Sequence, residues 1–399
     1  MALCRNRWRQ DSVVLIQATA HVVVGRSLSI IGFPTLVSAA LRMNRITPKK
    51  TSMRRLCALG IVGLLATSPT STTADVLPSI DQLITLLELD PSLKERALSG
   101  EIVTFEREDS MKKELAVALL VSIDAPYGEI IDAMKGNRLF QFHEHILDFV
   151  EIEGVPDASK FGELGYTAAD ADEVRALLAV KPGKSFNLSA AEIVRFQQLQ
   201  TEAEGLDDAA LIETVNIALH EFLAERLRSY QTTGLDGIAT YQRKRRNTSS
   251  PAEELSAATL AVADMRQFAP NFHDVLESFP DAQIEEVQHR FYVFKFDLAE
   301  RPGFALVHRI YLFGDEFTLA AERHIYAPHL YNSLQTVAGL IPHEDSTMLF
   351  YVSRTYTDLV AGFGSGLKHA FGGKLLAKGA KALLGNIRAG IESGKANEE

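Results

Sequence analysis

The chain has 399 residues, 46% of them apolar or aromatic, enough material for one large core or two. It carries 41 Lys+Arg against 51 Asp+Glu, unevenly placed: residues 1–74 hold 10 basic and 1 acidic side chain, leaving 31 and 50 beyond them, a formal charge of −19. So acidic a body repels phosphate backbones and excludes non-specific nucleic-acid binding.

The N-terminal 74 residues read as a processing segment. Met53-Arg54-Arg55 is a short basic run, residues 56–66 are apolar, and Thr72-Thr73-Ala74 is a small-residue cleavage pattern. The apolar run is too short to span a bilayer. The expectation is a signal peptide at 53–74 cut near Ala74, an over-extended start at 1–52, and an exported protein, periplasmic or secreted. The apolar stretch 13–41 is broken by His21 and Arg26, which argues against a membrane span. The alternative is an uncleaved signal anchor. Both cysteines, Cys4 and Cys57, fall in this segment, so the mature chain would contain no disulfide.

Residues 75–163 open with two short helical patterns, 79–89 and 91–99, the second closed by Gly100. A strand follows at 114–123, with 102–106 as a candidate partner. Ala125-Pro126 starts a helix over 127–134, ended by Gly136, and 145–152 reads as a further strand. Residues 164–280 are helical. Thr167 with Asp170 and Ser189 with Glu192 have capping-box form, and Ser250-Pro251 puts a cap before a proline at the first helical position. Leu211, Val215, Leu219, Phe222 and Tyr230 belong to one long apolar stripe. Residues 231–250 form the best loop.

Residues 281–391 hold the strongest signal. In 290–298, Tyr292, Phe294, Phe296 and Leu298 alternate with Lys295 and Asp297, as in a half-buried antiparallel strand. Runs at 304–313, 317–327 and 347–356 are rich in β-branched and aromatic residues and joined by turn-type spacers, so four runs predict an antiparallel meander. Five glycines between 362 and 373 then lead into a helix. Its stripe of Leu375, Leu376, Ala380, Leu383, Leu384, Ile387 and Ile391 is spaced to pack across a sheet. The predicted fold is α+β.

Val121-Ser122-Ile123-Asp124-Ala125-Pro126-Tyr127-Gly128-Glu129-Ile130-Ile131 resembles the opening of START-like, helix-grip domains. In those a first strand runs into an Ala-Pro start and a short helix, and a later meander ends in a long helix gripped by the sheet. The likeness covers 114–152 and 285–391, and the helical block between would be a large insertion with no standard counterpart. It implies a cavity between sheet and helix for a lipid-like ligand, lined here by Phe294, Phe296, Tyr326, Arg354 and Leu383. The implied partner is a hydrophobic small molecule or lipid.

Other chemistry is read from the residues themselves. Arg354 and Asp358 with Tyr326 and His324 are candidates for a polar site at the cavity mouth, and so for an enzyme acting on a hydrophobic substrate. The plain alternative is that Arg354 and Asp358 tie the sheet to the glycine corner. A structural envelope protein with a filled core is a third reading. His143 and His145 have the spacing of two zinc ligands, with His308 or His324 as a possible third, but surface or hydrogen-bonded histidines account for them as well. The segment 362–368 fits no nucleotide-binding pattern, and Ser365 lacks a nucleophile elbow, so no cofactor is expected. Arg243-Lys244-Arg245-Arg246 and the basic stripe of the last helix fit either solvated surfaces or peripheral contact with anionic lipid headgroups.

Overall fold

The computed structural model describes residues 79–394 apart from 87, 88, 106 and 363. The expected start and signal peptide lie outside the described residues. The described residues belong to one compact unit.

Two short helices, α1 (Ile80–Leu86) and α2 (Ser92–Leu98), precede strands β1 (Val103–Phe105) and β2 (Glu114–Ile123). Helix α3 (Tyr127–Lys135) and a 3-10 turn, Arg138–Phe142, lead to β3 (Ile146–Glu151). The helical block holds α4 (Ala171–Leu178), α5 (Ala190–Glu202), α6 (Asp208–Thr233), α7 (Pro251–Leu260) and α8 (Pro270–Ser278). Between α6 and α7 the expected loop folds into a small hairpin, β4 (Tyr241–Gln242) with β5 (Thr248–Ser249). The chain then runs through β6 (Val287–Asp297), β7 (Pro302–Phe313), β8 (Thr318–Tyr326), β9 (Ser333–His343) and β10 (Ser346–Tyr356) to α9 (Ser365–Glu392).

Among the described residues, eight strands make one antiparallel sheet in the order β1-β2-β10-β9-β8-β7-β6-β3. The meander therefore has five strands rather than four. The added one, β9, carries Gly339 and Pro342, which interrupt the β-branched signal. Pairing of β2 with β10 brings Glu114 opposite Tyr356 and Ile123 opposite Thr347.

Both faces of the sheet are covered. On one, Val117, Leu119, Val121 and Ile123 of β2 pack with Leu340, Leu349 and, from α9, Ala380, Leu384 and Ile391. On the other, the helical block lays Val215, Leu219, Phe222 and Leu227 of α6 over Val293, Phe304, Leu306 and Ile325. This covering explains Lys295, expected on a half-exposed face. It is buried and donates at 2.8 Å both to Asp170 Oδ2 and to the Gly165 carbonyl. Both capping boxes form, Thr167 with Asp170 and Ser189 with Glu192, and Ser250 caps α7 ahead of Pro251.

Gly362 and Gly364 adopt φ of +90° and +72°, the left-handed backbone that favours glycine, and so turn the chain from β10 into α9. From there α9 lies along β2. Gly372 sits by Leu115 near the start of β2, and Glu392 accepts from the backbone N–H of Asp124 at its end. Near its C-terminus, Gly390 presses against the ring of Phe142, where any Cβ would collide.

Candidate functional site

On the α9 side of the sheet, apolar side chains from several elements pack into one cluster. Helix α3 is held over the β7–β8 turn by Tyr127, whose hydroxyl donates to the Gly314 carbonyl at 2.7 Å and lies 2.7 Å from Thr318 Oγ1. Leu139 and Phe142 continue that wall, Leu376 and Ile387 project from α9, and Ala338 and Tyr351 rise from the strands. All six are only half-buried although they belong to one cluster.

Beside this cluster, the same face carries a chain of polar side chains. Strand alternation puts Val307, Arg309 and Tyr311 of β7, with Ala320, Glu322 and His324 of β8, on the face shared by Tyr292, Phe294 and Phe296. Arg309 donates through Nε and Nη2 to Glu322 Oε2 and through Nη1 to the Tyr311 hydroxyl. Its guanidinium lies 4.2 Å from the centroid of the Phe140 ring. Burial alone would raise the Glu322 carboxyl. The Arg309 charge and the bonds from His324 and Arg309 outweigh it and hold Glu322 far below the usual carboxylate range.

That ionisation sets the proton positions on His324. A carboxylate only accepts, so His324 Nε2 carries the hydrogen shared with Glu322 Oε1 at 2.9 Å. Its Nδ1 lies 2.7 Å from the Tyr331 hydroxyl, accepting from it when the imidazole is neutral. Phe296 stacks on the imidazole at 5.9 Å, and burial pushes the Tyr331 phenol up. The result is a carboxylate–imidazole–phenol relay of the kind that serves general acid–base chemistry. Arg309 and Glu322 were not singled out from the sequence. The signal was there in the cross-strand register, which puts two opposite charges on an otherwise aromatic face.

The residues expected to share a site are divided by the sheet. Phe294, Phe296 and His324 lie together on the α9 side, and Leu383 is half-buried on α9 itself. Tyr326 faces the helical block, its ring 4.5 Å from the Arg226 guanidinium and edge-on to Phe222. Two interior voids there, each about 10 Å³, are walled partly by Tyr326. They have room for no more than a water. Arg354 bonds to the carboxylate of Glu114 and, at 3.1 Å, to the Glu108 carbonyl, while Asp358 pairs with Arg243. The two therefore have separate partners, and neither reaches His324.

His143 and His145 precede β3 rather than sit on it, with ring centroids 6.1 Å apart. The backbone N–H of His145 donates to His143 Nδ1 at 3.3 Å, and burial lowers His143 to about 4. His308 lies on the opposite face, bonded to Tyr230 and His289, and both nitrogens of His324 belong to the relay. The one group of three metal-type side chains among the described residues is His273, Asp274 and Glu277. Arg266 donates to all three, so a guanidinium already occupies that position.

No family model matches the chain, and neither a curated protein nor a solved structure does.

Proposed function

We propose that the protein binds or carries a lipid-like hydrophobic molecule in the cleft between α9 and the sheet. In this reading the fold is a helix-grip-like arrangement with α4–α8 inserted behind the sheet. One observation carries it. Apolar side chains from α3, the 138–142 turn, α9 and the strands belong to one cluster yet stay half-covered, where protein interiors normally close to near-crystalline density. A ligand filling such a cleft would remove that surface from water, gaining roughly 25 cal/mol per Å². The Arg309–Glu322–His324–Tyr331 chain beside it offers the few polar groups that orient a ligand in an apolar site.

The test is mass spectrometry of organic extracts of the purified protein, with titration of a fluorescent fatty-acid probe. A co-purifying lipid, and loss of probe binding in Leu376→Trp with an unchanged urea midpoint, are the expected results. Lipid-free extracts and no probe binding would instead favour a filled core. A second reading has its own support. The relay equips the same cleft for acid–base catalysis on a hydrophobic substrate, and a bound compound returned chemically altered by wild type but not by Tyr331→Phe would establish it. We also place the protein outside the cytoplasm, on the basic–apolar–small order of residues 53–74. N-terminal sequencing of exported protein should begin near Asp75.

A further inference from the structure

Helix α9 buries one side against the sheet, and its outer side differs from an ordinary solvated face. Residues 359–391 contain no Asp or Glu, while Lys368, Lys374, Lys378, Lys381 and Arg388 all fall among them. Elsewhere beyond residue 74 acidic side chains far outnumber basic ones. At the start of the helix Leu367 is 81% exposed and Phe371 45%, four residues apart and so stacked on one side. Lys374 and Lys378 carry the same side onward and are exposed. Large apolar side chains rimmed by like charges mark a partner surface.

We propose that this outer face of α9 docks on an anionic lipid bilayer. Leu367 and Phe371 enter the acyl boundary, and Lys374 and Lys378 rest on the headgroups. The attachment is peripheral, since no helix among the described residues is long and apolar enough to cross a membrane. Charge argues against the other occupants. Residues 1–74 are basic and would be repelled, and a second copy packed by two-fold symmetry would set the same lysines against each other. The inference does not depend on the ligand cleft.

The experiment is co-sedimentation of the full chain with vesicles of phosphatidylcholine alone and of phosphatidylcholine with phosphatidylserine. Binding is expected only where phosphatidylserine is present, and it should weaken as salt is raised. Leu367→Glu/Phe371→Glu and Lys374→Glu/Lys378→Glu should each lower affinity about tenfold or more, with the urea midpoint kept because the four side chains are exposed. Equal binding to neutral vesicles, absence of binding, or wild-type binding by either double variant would overturn the proposal. The last result would mean that attachment runs through another segment, such as the basic leader. A dimer that the Leu367→Glu/Phe371→Glu pair converts to monomer would assign the face to a second copy and overturn it equally.

Discussion

Arg243 Nε lies 2.7 Å from Asp358 Oδ2, joining the turn of the β4–β5 hairpin to the chain just beyond β10. The same guanidinium donates to the Gly183 carbonyl at 3.0 Å, Asn187 Oδ1 at 2.8 Å and Asn332 Oδ1 at 2.9 Å. The first residue of the basic run is thus an internal tie, while Lys244, Arg245 and Arg246 face solvent. Burial would raise the Asp358 carboxyl, but the bonds from Ser249 and Arg243 hold it below the usual range. Asp358→Ala leaves a buried cation without its partner, and urea denaturation should show a loss of about 3–5 kcal/mol. Lys244→Ala should stay within about 0.5 kcal/mol of wild type.

The Arg309–Glu322 pair gives a sharper contrast. Glu322→Gln leaves the half-buried Arg309 charge without its counter-charge on an aromatic face and should cost about 1–3 kcal/mol. The double variant Arg309→Met/Glu322→Leu removes both charges and should recover most of that loss, since apolar replacements of buried pairs are often neutral or better. Equal destabilisation by the single and double variants would show that the pair is held by packing rather than by charge.

Neighbouring leucines on α9 should respond differently. Leu384 is 4% exposed in the core with Leu119 and Leu349, so Leu384→Ala should cost about 2–5 kcal/mol. Leu383 is half-buried, and its alanine variant should fall well short of that. A larger loss at Leu383 would place the helix in another rotation.

Acid should weaken the protein before its carboxylates titrate. Burial holds His308 well below its ordinary value, His143 at about 4 and His329 at about 3. Their folded values are depressed, so between those values and about pH 6.5 the unfolded chain binds more protons; their contribution is whole above about pH 6.5 and is lost as pH falls from there through the folded values. Each steepens the fall by up to about 1.4 kcal/mol per pH unit. Glu322 acts later, since its contribution persists until pH drops below about 4.3. His308 Nδ1 lies 2.8 Å from the Tyr230 hydroxyl and Nε2 2.9 Å from His289 Nδ1, so a proton added to His308 sits in a buried position beside a second imidazole. Denaturation at about pH 7.5 and about pH 5 should show a shallower slope for His308→Gln than for wild type.

Local patterning carried most of the elements, because alternation, capping boxes and glycine stops are near-neighbour effects. Strand β2, helix α3 and the run from β10 into α9 are legible in that way. Strand β9 was not, since its pairing with β8 and β10 compensates for a glycine and a proline that weaken the local signal. Site residues were harder for the same reason. Arg354 and Asp358 are four apart in sequence, yet each found a partner more than 100 positions away, Glu114 for one and Arg243 for the other. His324 was singled out, but the pairing of its strand neighbour Glu322 with Arg309 becomes visible only in the register of β7 with β8.

The pairing of β2 with β10 also sets a timetable for synthesis. Ile123 must wait for Thr347, and a ribosome adding roughly 5–20 residues per second needs roughly ten to forty seconds to deliver it. Meanwhile β3, the helical block and β6 to β8 can assemble among themselves. Val117, Leu119 and Val121 remain open until the last strand and α9 arrive. Any nascent or truncated chain ending before Thr347 leaves the β10 edge of β2 unpaired and its apolar face uncovered, a target for chaperones and for aggregation alike.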